Sequence, residues 1–492
     1  MRLPVAVIAL VGLSVEQAVF EPVQPELFAA GGTLANAWAD HDGDGDLDLF
    51  VGFNGAPNRL YRNEDGRFSD VAAAAGLADA RATRAAAWGD YDADGDPDLL
   101  VGFTPGAGGV LKLYRNDAGR FSDVTRAAGL VVDSGAVRQP VWIDYDGDND
   151  VDLFVAFRDR PNAMFRNDAG RFTDIAGDIG LADPRPSVGA VWLDYDEDGD
   201  FDVVVANMDG AANGVFRNEG GRFTDVAESV GLAWGGRAPR EMTNGTVRPC
   251  AADVDGDGRL DLFFANYGPN GLFLNRGGGR FEDASTTWGV AIDARYDACA
   301  FADFDNDGDV DLFVNGTVTG GVSYRDYLFR STGSRFEDVT PQVLQALEAD
   351  HGVQWADFDR DGAVDLALTG ARAQGTHALL RNGTTAAGRS LQIRVVDRSG
   401  GDVRAGAEVR VVSAANGTLI GTRITDTGSG YDSQSLAPVH FGLPDLDPVD
   451  ITVTFPLGGR RVTARVTGVD PRTHARGVLV LHLHEDGSIT RS

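Results

Sequence analysis

An all-β fold is predicted for this 492-residue chain by three observations. A ten-residue, aspartate-rich stretch recurs seven times at a spacing of about 50 residues. Each copy is flanked by short apolar runs of strand length. Two further short runs complete each unit, one ending aromatic-Arg-Asn and one carrying Phe-x-Asp. Four short strands per repeat, seven times over, predict a seven-bladed β-propeller. A change of character after residue 385 predicts a small C-terminal β-sandwich-like domain.

The aspartate-rich stretch begins as Asp40-His41-Asp42-Gly43-Asp44-Gly45-Asp46-Leu47-Asp48. Positions 1, 3, 5 and 9 are aspartate in every copy. They are Asp40, Asp42, Asp44 and Asp48 in the first copy and Asp90, Asp92, Asp94 and Asp98 in the second. The third and fourth copies carry Asp144, Asp146, Asp148, Asp152 and Asp194, Asp196, Asp198, Asp202. The fifth to seventh carry Asp253, Asp255, Asp257, Asp261; Asp303, Asp305, Asp307, Asp311; and Asp357, Asp359, Asp361, Asp365. Alternate residues of a tight loop can turn carboxylates toward one centre, which suits Ca²⁺, a hard cation taking six to eight oxygens. Position 6 must make a sharp turn. It is glycine in six copies and Asn149 in the other, the two residue types that best tolerate a left-handed backbone. An EF-hand is excluded: position 12 of the first copy is Val51, and an apolar strand follows the loop where a helix would be required. Up to seven structural Ca²⁺ ions are expected.

The strands follow in order. The run before each loop carries Trp38, Trp88, Trp142, Trp192 or Trp355 two residues ahead of the first aspartate, with Ala251 and Phe301 in the remaining copies. The run after it is apolar, as in Leu47-Asp48-Leu49-Phe50-Val51. The third run ends in Tyr61-Arg62-Asn63 and its equivalents, and the fourth carries Phe68/Asp70 and its equivalents. The aromatic repeats read as blade-to-blade packing, and the Arg-Asn pairs as partners for turn backbone and carboxylates. Only six fourth runs are internal. The missing one is Phe20-Glu21-Pro22-Val23, expected to complete the last blade beside Leu380-Arg381-Asn382 and close the ring.

Residues 1–18 open with Met1-Arg2 and a short apolar stretch, which reads as a signal peptide too short to span a bilayer. Residues 19–385 form the propeller and 386–492 the second domain. No later segment is long and apolar enough to be a transmembrane helix in the mature chain. Net charge is −31. Seven divalent cations would leave about −17, so the chain is not suited to nucleic acid or anionic lipid. It is expected to be monomeric. Cys250 and Cys299 occupy near-equivalent places in adjacent repeats. Two buried free thiols are expected, with a disulfide as the alternative.

The repeated Trp-x-Asp-x-Asp-x-Asp-Gly-x-x-Asp-Leu unit resembles the FG-GAP/VCBS repeat over residues 20–385, a resemblance that implies a calcium-loop propeller. Downstream, Gly428-Ser429-Gly430-Tyr431-Asp432-Ser433-Gln434-Ser435 and Val439-His440-Phe441-Gly442-Leu443 resemble the ASPIC/UnbV domain of the cartilage acidic protein family. Pro444 and Phe455 depart from that pattern, which marks a divergent member of bacterial type. The resemblance implies a secreted or cell-surface protein, periplasmic in a bacterium.

A recognition or adhesion protein is the function expected, with a glycan or protein ligand on the face opposite the aspartate loops. The longest loops there span 232–249, with Trp234, Arg237 and Arg240, and 290–298, with Arg295 and Tyr296. Exposed Trp and Arg are favoured at binding hot spots. An enzyme or accessory protein of secondary metabolism and a structural matrix component are the alternatives. No catalytic motif is found: no His-Glu-x-x-His, no Gly-x-Ser-x-Gly and no phosphate-binding loop. Ser433 and Ser435 have no evident base, and His440 reads as a structural histidine.

Overall fold

Each repeat folds into a four-stranded antiparallel sheet whose inner two strands are apolar on both faces. In the first repeat these strands are Thr33–Ala39, Asp48–Phe53, Arg59–Glu64 and Arg67–Asp70, in that spatial order. The first two are buried throughout, whereas the outermost buries only Phe68. A strand covered by a neighbouring sheet on each side needs no polar face, which explains continuous rather than alternating apolar runs. The computed structural model describes residues 19–492 except 107, 240, 348–350, 371–376, 385, 387, 398, 399, 401, 402 and 485. The signal-peptide expectation at 1–18 therefore lies outside the described residues.

Among the described residues strand pairing lays out seven such four-stranded units, here called blades 1 to 7, of which blades 5 and 6 join into one eight-stranded sheet. Their inner strands are Thr33–Ala39, Thr83–Gly89, Val137–Ile143, Ser187–Leu193, Gly245–Ala252, Asp293–Ala302 and Val353–Ala356. Blade 7 takes its outermost strand from the start of the chain: Phe20–Pro22 pairs antiparallel with Ala378–Asn382, Phe20 opposite Asn382. Within blades the tryptophan of the inner strand packs on the phenylalanine of an outer one, as in Trp88 on Phe121 at 5.9 Å and Trp142 on Phe172 at 5.8 Å. Buried asparagines then stitch blade to blade. Asn116 Nδ2 donates to His41 O of the preceding blade at 2.8 Å, Asn167 to Tyr91 O at 2.8 Å, and Asn63 to Phe358 O at 2.8 Å.

Two features differ from the sequence reading. One-turn helices follow the outer strands at Ala72–Ala75, Thr125–Ala128, Ala176–Ile179 and Gln342–Gln345. They are too short to show an amphipathic period. Cys250 and Cys299 form a disulfide, not the free thiols expected. Their inner strands are neighbours, and the Cα atoms lie 6.3 Å apart, within bridging distance.

Beyond residue 385 the chain forms two four-stranded sheets. One contains Val439–Gly442, Ser390–Val396, Val478–Leu483 and Ile489–Arg491. The other contains Leu419–Ile424, Glu408–Ser413, Val449–Pro456 and Arg461–Val469. Leu391, Ile393, Val395, Val409, Val411, Ile451, Val453 and Leu481 fill the space between them. The same core continues into Trp192 and Phe201 of blade 4.

Ring closure through Phe20 generates a prediction. Its ring is buried against Phe304 and Trp355, so Phe20→Ala should destabilise the propeller by about 3–5 kcal/mol. Urea unfolding of the variant measures this, and an unchanged midpoint would contradict closure by the N-terminal strand.

Candidate functional site

The aspartate loops share one backbone path. Position 6 is left-handed throughout, with φ of 91° at Gly45 and 73° at Asn149. That turn lets the first aspartate accept the position-6 N–H, as Gly45 N does to Asp40 Oδ2 at 3.0 Å and Gly95 N to Asp90 Oδ2 at 2.9 Å. In six of the seven loops the ninth aspartate is tied on both oxygens, Asp152 being tied on Oδ1 alone. Asp48 Oδ2 accepts from His41 N at 3.1 Å, and Asp48 Oδ1 accepts from Asn63 N of the third strand at 2.7 Å. Asp98 repeats this with Tyr91 N and Asn116 N. So do Asp261 with Val254 N and Asn275 N, and Asp365 with Phe358 N and Asn382 N.

These bonds gather carboxylate oxygens. Ligand-capable atoms of Asp40, Asp42 and Asp44 all lie within 4.8 Å of one another, as do those of Asp90, Asp92 and Asp94, of Asp144, Asp146 and Asp152, and of Asp194, Asp196 and Asp202. Every loop also holds a buried carboxylate oxygen without a hydrogen-bond partner. They are Asp42 Oδ1, Asp92 Oδ1, Asp152 Oδ2, Asp196 Oδ1, Asp253 Oδ1, Asp305 Oδ1 and Asp359 Oδ1. Orphaned buried acceptors are costly, and a hard cation satisfies them. The residues present therefore fit a cation that takes oxygen ligands.

Electrostatics point the same way. Burial, with like-charged neighbours, raises Asp98, Asp152 and Asp202 to about 9 and Asp261 to about 8. Asp194, Asp303 and Asp357 are raised to about 7, again chiefly by burial. Third-strand arginines relieve some loops: Arg62 Nε lies 2.7 Å from Asp42, and Arg381 Nε lies 2.6 Å from Asp359.

The C-terminal sandwich covers this loop face and reaches the first aspartates directly. Arg404 Nη1 is 3.2 Å from Asp144 Oδ2, and Arg461 Nε is 3.5 Å from Asp194 Oδ2. Gln392 Nε2 donates to Asp357 Oδ2 at 2.6 Å, and Gly442 N donates to Asp303 Oδ2 at 3.0 Å. Sequence reasoning missed these contacts, because arginines of a separate domain carry no mark of their destination.

It also missed the role of 425–438, which enters the propeller channel as a plug. Inner strands turn their free N–H and C=O groups toward the channel, and the plug answers them. Trp38 N donates to Ser435 Oγ at 3.0 Å, and Leu436 N donates to Trp38 O at 2.8 Å. Gln434 accepts from Trp142 N at 2.7 Å and donates to Trp142 O at 3.0 Å. Ser433 and Gln434 pair in parallel with Ala86 and Ala87. Gly430, with φ of 56°, passes so close to the wall that a Cβ would sit 2.6 Å from Val353 O. The Gly-Ser-Gly-Tyr motif was the signal in the sequence. At the far mouth Tyr431 stacks on His351 at 4.7 Å, and Arg84 Nε lies 3.3 Å from Asp432. Ser433 Oγ donates to Tyr431 O at 2.9 Å, and His440 Nε2 pairs with Gly362 O at 3.3 Å, so neither forms a nucleophile–base pair with the other.

The sequence-derived ligand face needs correction. Arg237 is buried, donating to Ala211 O at 2.7 Å and Asn213 Oδ1 at 3.0 Å. Tyr296 is buried in the blade core beside Tyr327. Both presumed loops are partly strand: Gly245–Ala252 begins inside the first and Asp293–Ala302 inside the second. The second strand starts early because Asp293, Ala294 and Arg295 pair with Pro269, Gly268 and Tyr267 of blade 5. Trp234 and Arg295 remain half-buried on that face, Arg295 lying over Tyr267 at 4.9 Å. Arg240 is outside the described residues.

A family profile described as FG-GAP-like repeat matches residues 20–101, 144–205, 194–263 and 253–314, and one described as ASPIC and UnbV matches 402–474. Cartilage acidic protein 1 of Xenopus tropicalis is 27% identical over 296 residues, covering 57% of this chain and 42% of its own. The Homo sapiens protein of that name is 31% identical over 259 residues, covering 50% and 37%. The chain thus spans about two fifths of the length of these relatives. Among solved structures, the BP39L lectin from Burkholderia pseudomallei superposes with a TM-score of 0.47 at 13% identity, covering 72% of this chain and 96% of the lectin. No helix among the described residues is long and apolar enough to cross a membrane.

The raised carboxyls generate a pH prediction for the cation-free protein. A carboxyl raised in the folded state keeps its proton where the unfolded chain has lost it. Folded stability therefore falls as pH rises from about 4, the unfolded value, toward about 9, where Asp98, Asp152 and Asp202 ionise. In chelator the urea midpoint should be higher at pH 5 than at pH 8. Equal midpoints would show that the loops carry no such strain.

Proposed function

Because this chain belongs to the FG-GAP-like repeat family, we propose that it is an extracellular, calcium-loaded recognition protein that binds a glycan or protein ligand on the face opposite its aspartate loops. The placement of the C-terminal sandwich carries this reading. It occupies the loop face through Arg404, Arg461, Gln392 and Gly442. The other face is left to the loops and strand extensions of blades 4 to 6, where Trp234, Tyr267 and Arg295 lie half-buried. Aromatic and arginine side chains in that setting are suited to anchoring a partner. The Cys250–Cys299 disulfide supports an oxidising compartment.

Calcium has a structural part in this reading. The aspartates at positions 1, 3, 5 and 9 would hold it, and when bound it would neutralise carboxylates that otherwise repel one another inside the loops. Extracellular calcium modules bind with Kd on the order of 0.1–1 mM. At tenfold excess each independent site adds about 1.4 kcal/mol, so seven add roughly 10 kcal/mol. That is comparable with the whole stability of an ordinary domain.

Two measurements test the reading. Chelation should lower the melting temperature sharply at pH 7.5, and a metal-indifferent melt would sink the calcium assignment. In a screen against glycans and matrix polymers, Trp234→Ala and Arg295→Ala should each weaken binding tenfold or more. A ligand whose affinity ignores both substitutions would move recognition away from this face.

A further inference from the structure

The plug satisfies the channel-facing edges of blades 1 to 4 and leaves those of blades 5 to 7 open. Trp38, Trp142 and Trp192 sit opposite Leu49, Leu153 and Val203 in their sheets, a register that turns their N–H and C=O toward the channel. Ala251, Phe301 and Trp355 have the same register, opposite Leu262, Leu312 and Leu366. Their backbone groups point the same way, and no hydrogen bond from the described plug residues reaches them. They line a cavity of about 190 Å³ between these strands, the plug and the sandwich strands that carry Arg423 and His440.

The polar groups around that cavity are incompletely used. Gln354 Nε2, Arg423 Nε and Nη2, and His440 Nδ1 are buried without a hydrogen-bond partner, and all three residues line it. Arg423 has Asp303 at 3.9 Å as an ionic neighbour, beyond hydrogen-bond reach. His440 Nε2 pairs with the carbonyl of Gly362, so it carries the ring proton and Nδ1 is a bare acceptor. Donors and acceptors thus face the same space, alongside apolar Val439, Ile424 and Ala302.

The plug itself shows which chemistry answers such an edge. Thr427 Oγ1 accepts from Trp192 N at 3.2 Å and donates to Trp192 O at 2.7 Å. One hydroxyl therefore satisfies both groups of one residue. We propose that the cavity beside blades 5 to 7 binds a small neutral polyol whose hydroxyls take the places on Ala251, Phe301 and Trp355 that Thr427 and Ser435 take elsewhere. A cavity of 150 Å³ holds a benzene ring, so about seven or eight non-hydrogen atoms fit here. Asp303 opposes the Arg423 guanidinium, so the wall offers no unbalanced positive charge to an anion. This inference does not rest on the far-face ligand, although two wall residues, Asp303 and Asp357, are also the first aspartates of their loops.

The test uses the full chain with erythritol as probe, by titration calorimetry with calcium present and in chelator, together with crystals soaked in erythritol. Saturable binding and density for the polyol between Gln354 and Phe301 are expected. Gln354→Met removes the unpaired Nε2 together with the Oε1 that accepts from Ser429 Oγ at 3.0 Å, and Ala302→Leu fills the cavity. Each should weaken binding tenfold or more while keeping the melting temperature near that of the unsubstituted protein. Ordered water alone in the soaked cavity, equal affinity in both folded variants, or tighter binding of erythronate than of erythritol would overturn the proposal. A metal-indifferent melt would leave it standing, because the unpaired groups it uses, on Gln354, Arg423 and His440, are not among the aspartates that would hold the cation.

Discussion

The carboxylate at the ninth position of each aspartate loop is the group on which the ring depends. In the first repeat Asp48 accepts one N–H from the start of its own loop and another from Asn63 in the third strand. Asn63 in turn donates its side-chain amide to Phe358 O in the neighbouring blade. One buried carboxyl therefore sets the loop's curvature, the register of strand three and the position of the next sheet. Burying such a group is unfavourable for its ionised form, so the fold is built around a charge that a proton or a cation must compensate.

This double duty explains what could be read from the sequence. The four-aspartate spacing and the aromatic-Arg-Asn runs recur because each copy must solve the same local geometry, so seven loops and their strands stand out without coordinates. Trp234 and Arg237 illustrate the other case. Both lie in one irregular stretch with similar surroundings in sequence, yet Arg237 turns inward to Ala211 O while Trp234 stays half-buried. Nothing local distinguishes them, since the partner belongs to the preceding connection. Cys250 and Cys299 are a third kind: their spacing was visible, but their pairing depends on two inner strands lying side by side. The plug was visible as a motif and illegible as a plug, because Gly428 and Gly430 read as turn residues until the walls they pass are known.

The sandwich and the plug make the second domain part of the first. Arg404 and Gln392 hold the sandwich on the first aspartates of two loops, while Gln434 and Ser435 complete the inner edges of two blades. The hydrophobic core is continuous across the junction. Domain docking and channel filling thus fasten the second domain to the same ring at two levels, the loops and the inner strands.

The plug also imposes an order on how the protein is made. A ribosome completes the ring when Ala378–Asn382 emerges to meet Phe20–Pro22, but the segment that covers the inner edges is translated later. Until then Trp38, Trp142 and Trp192 present bare strand edges of the kind that recruit other chains. A transcript cut short after the ring yields a closed circle with an adhesive bore. The nascent chain therefore needs shielding while the stretch from Asn382 to the end of the plug is translated, and a gene that separated the two modules would have to replace that shield.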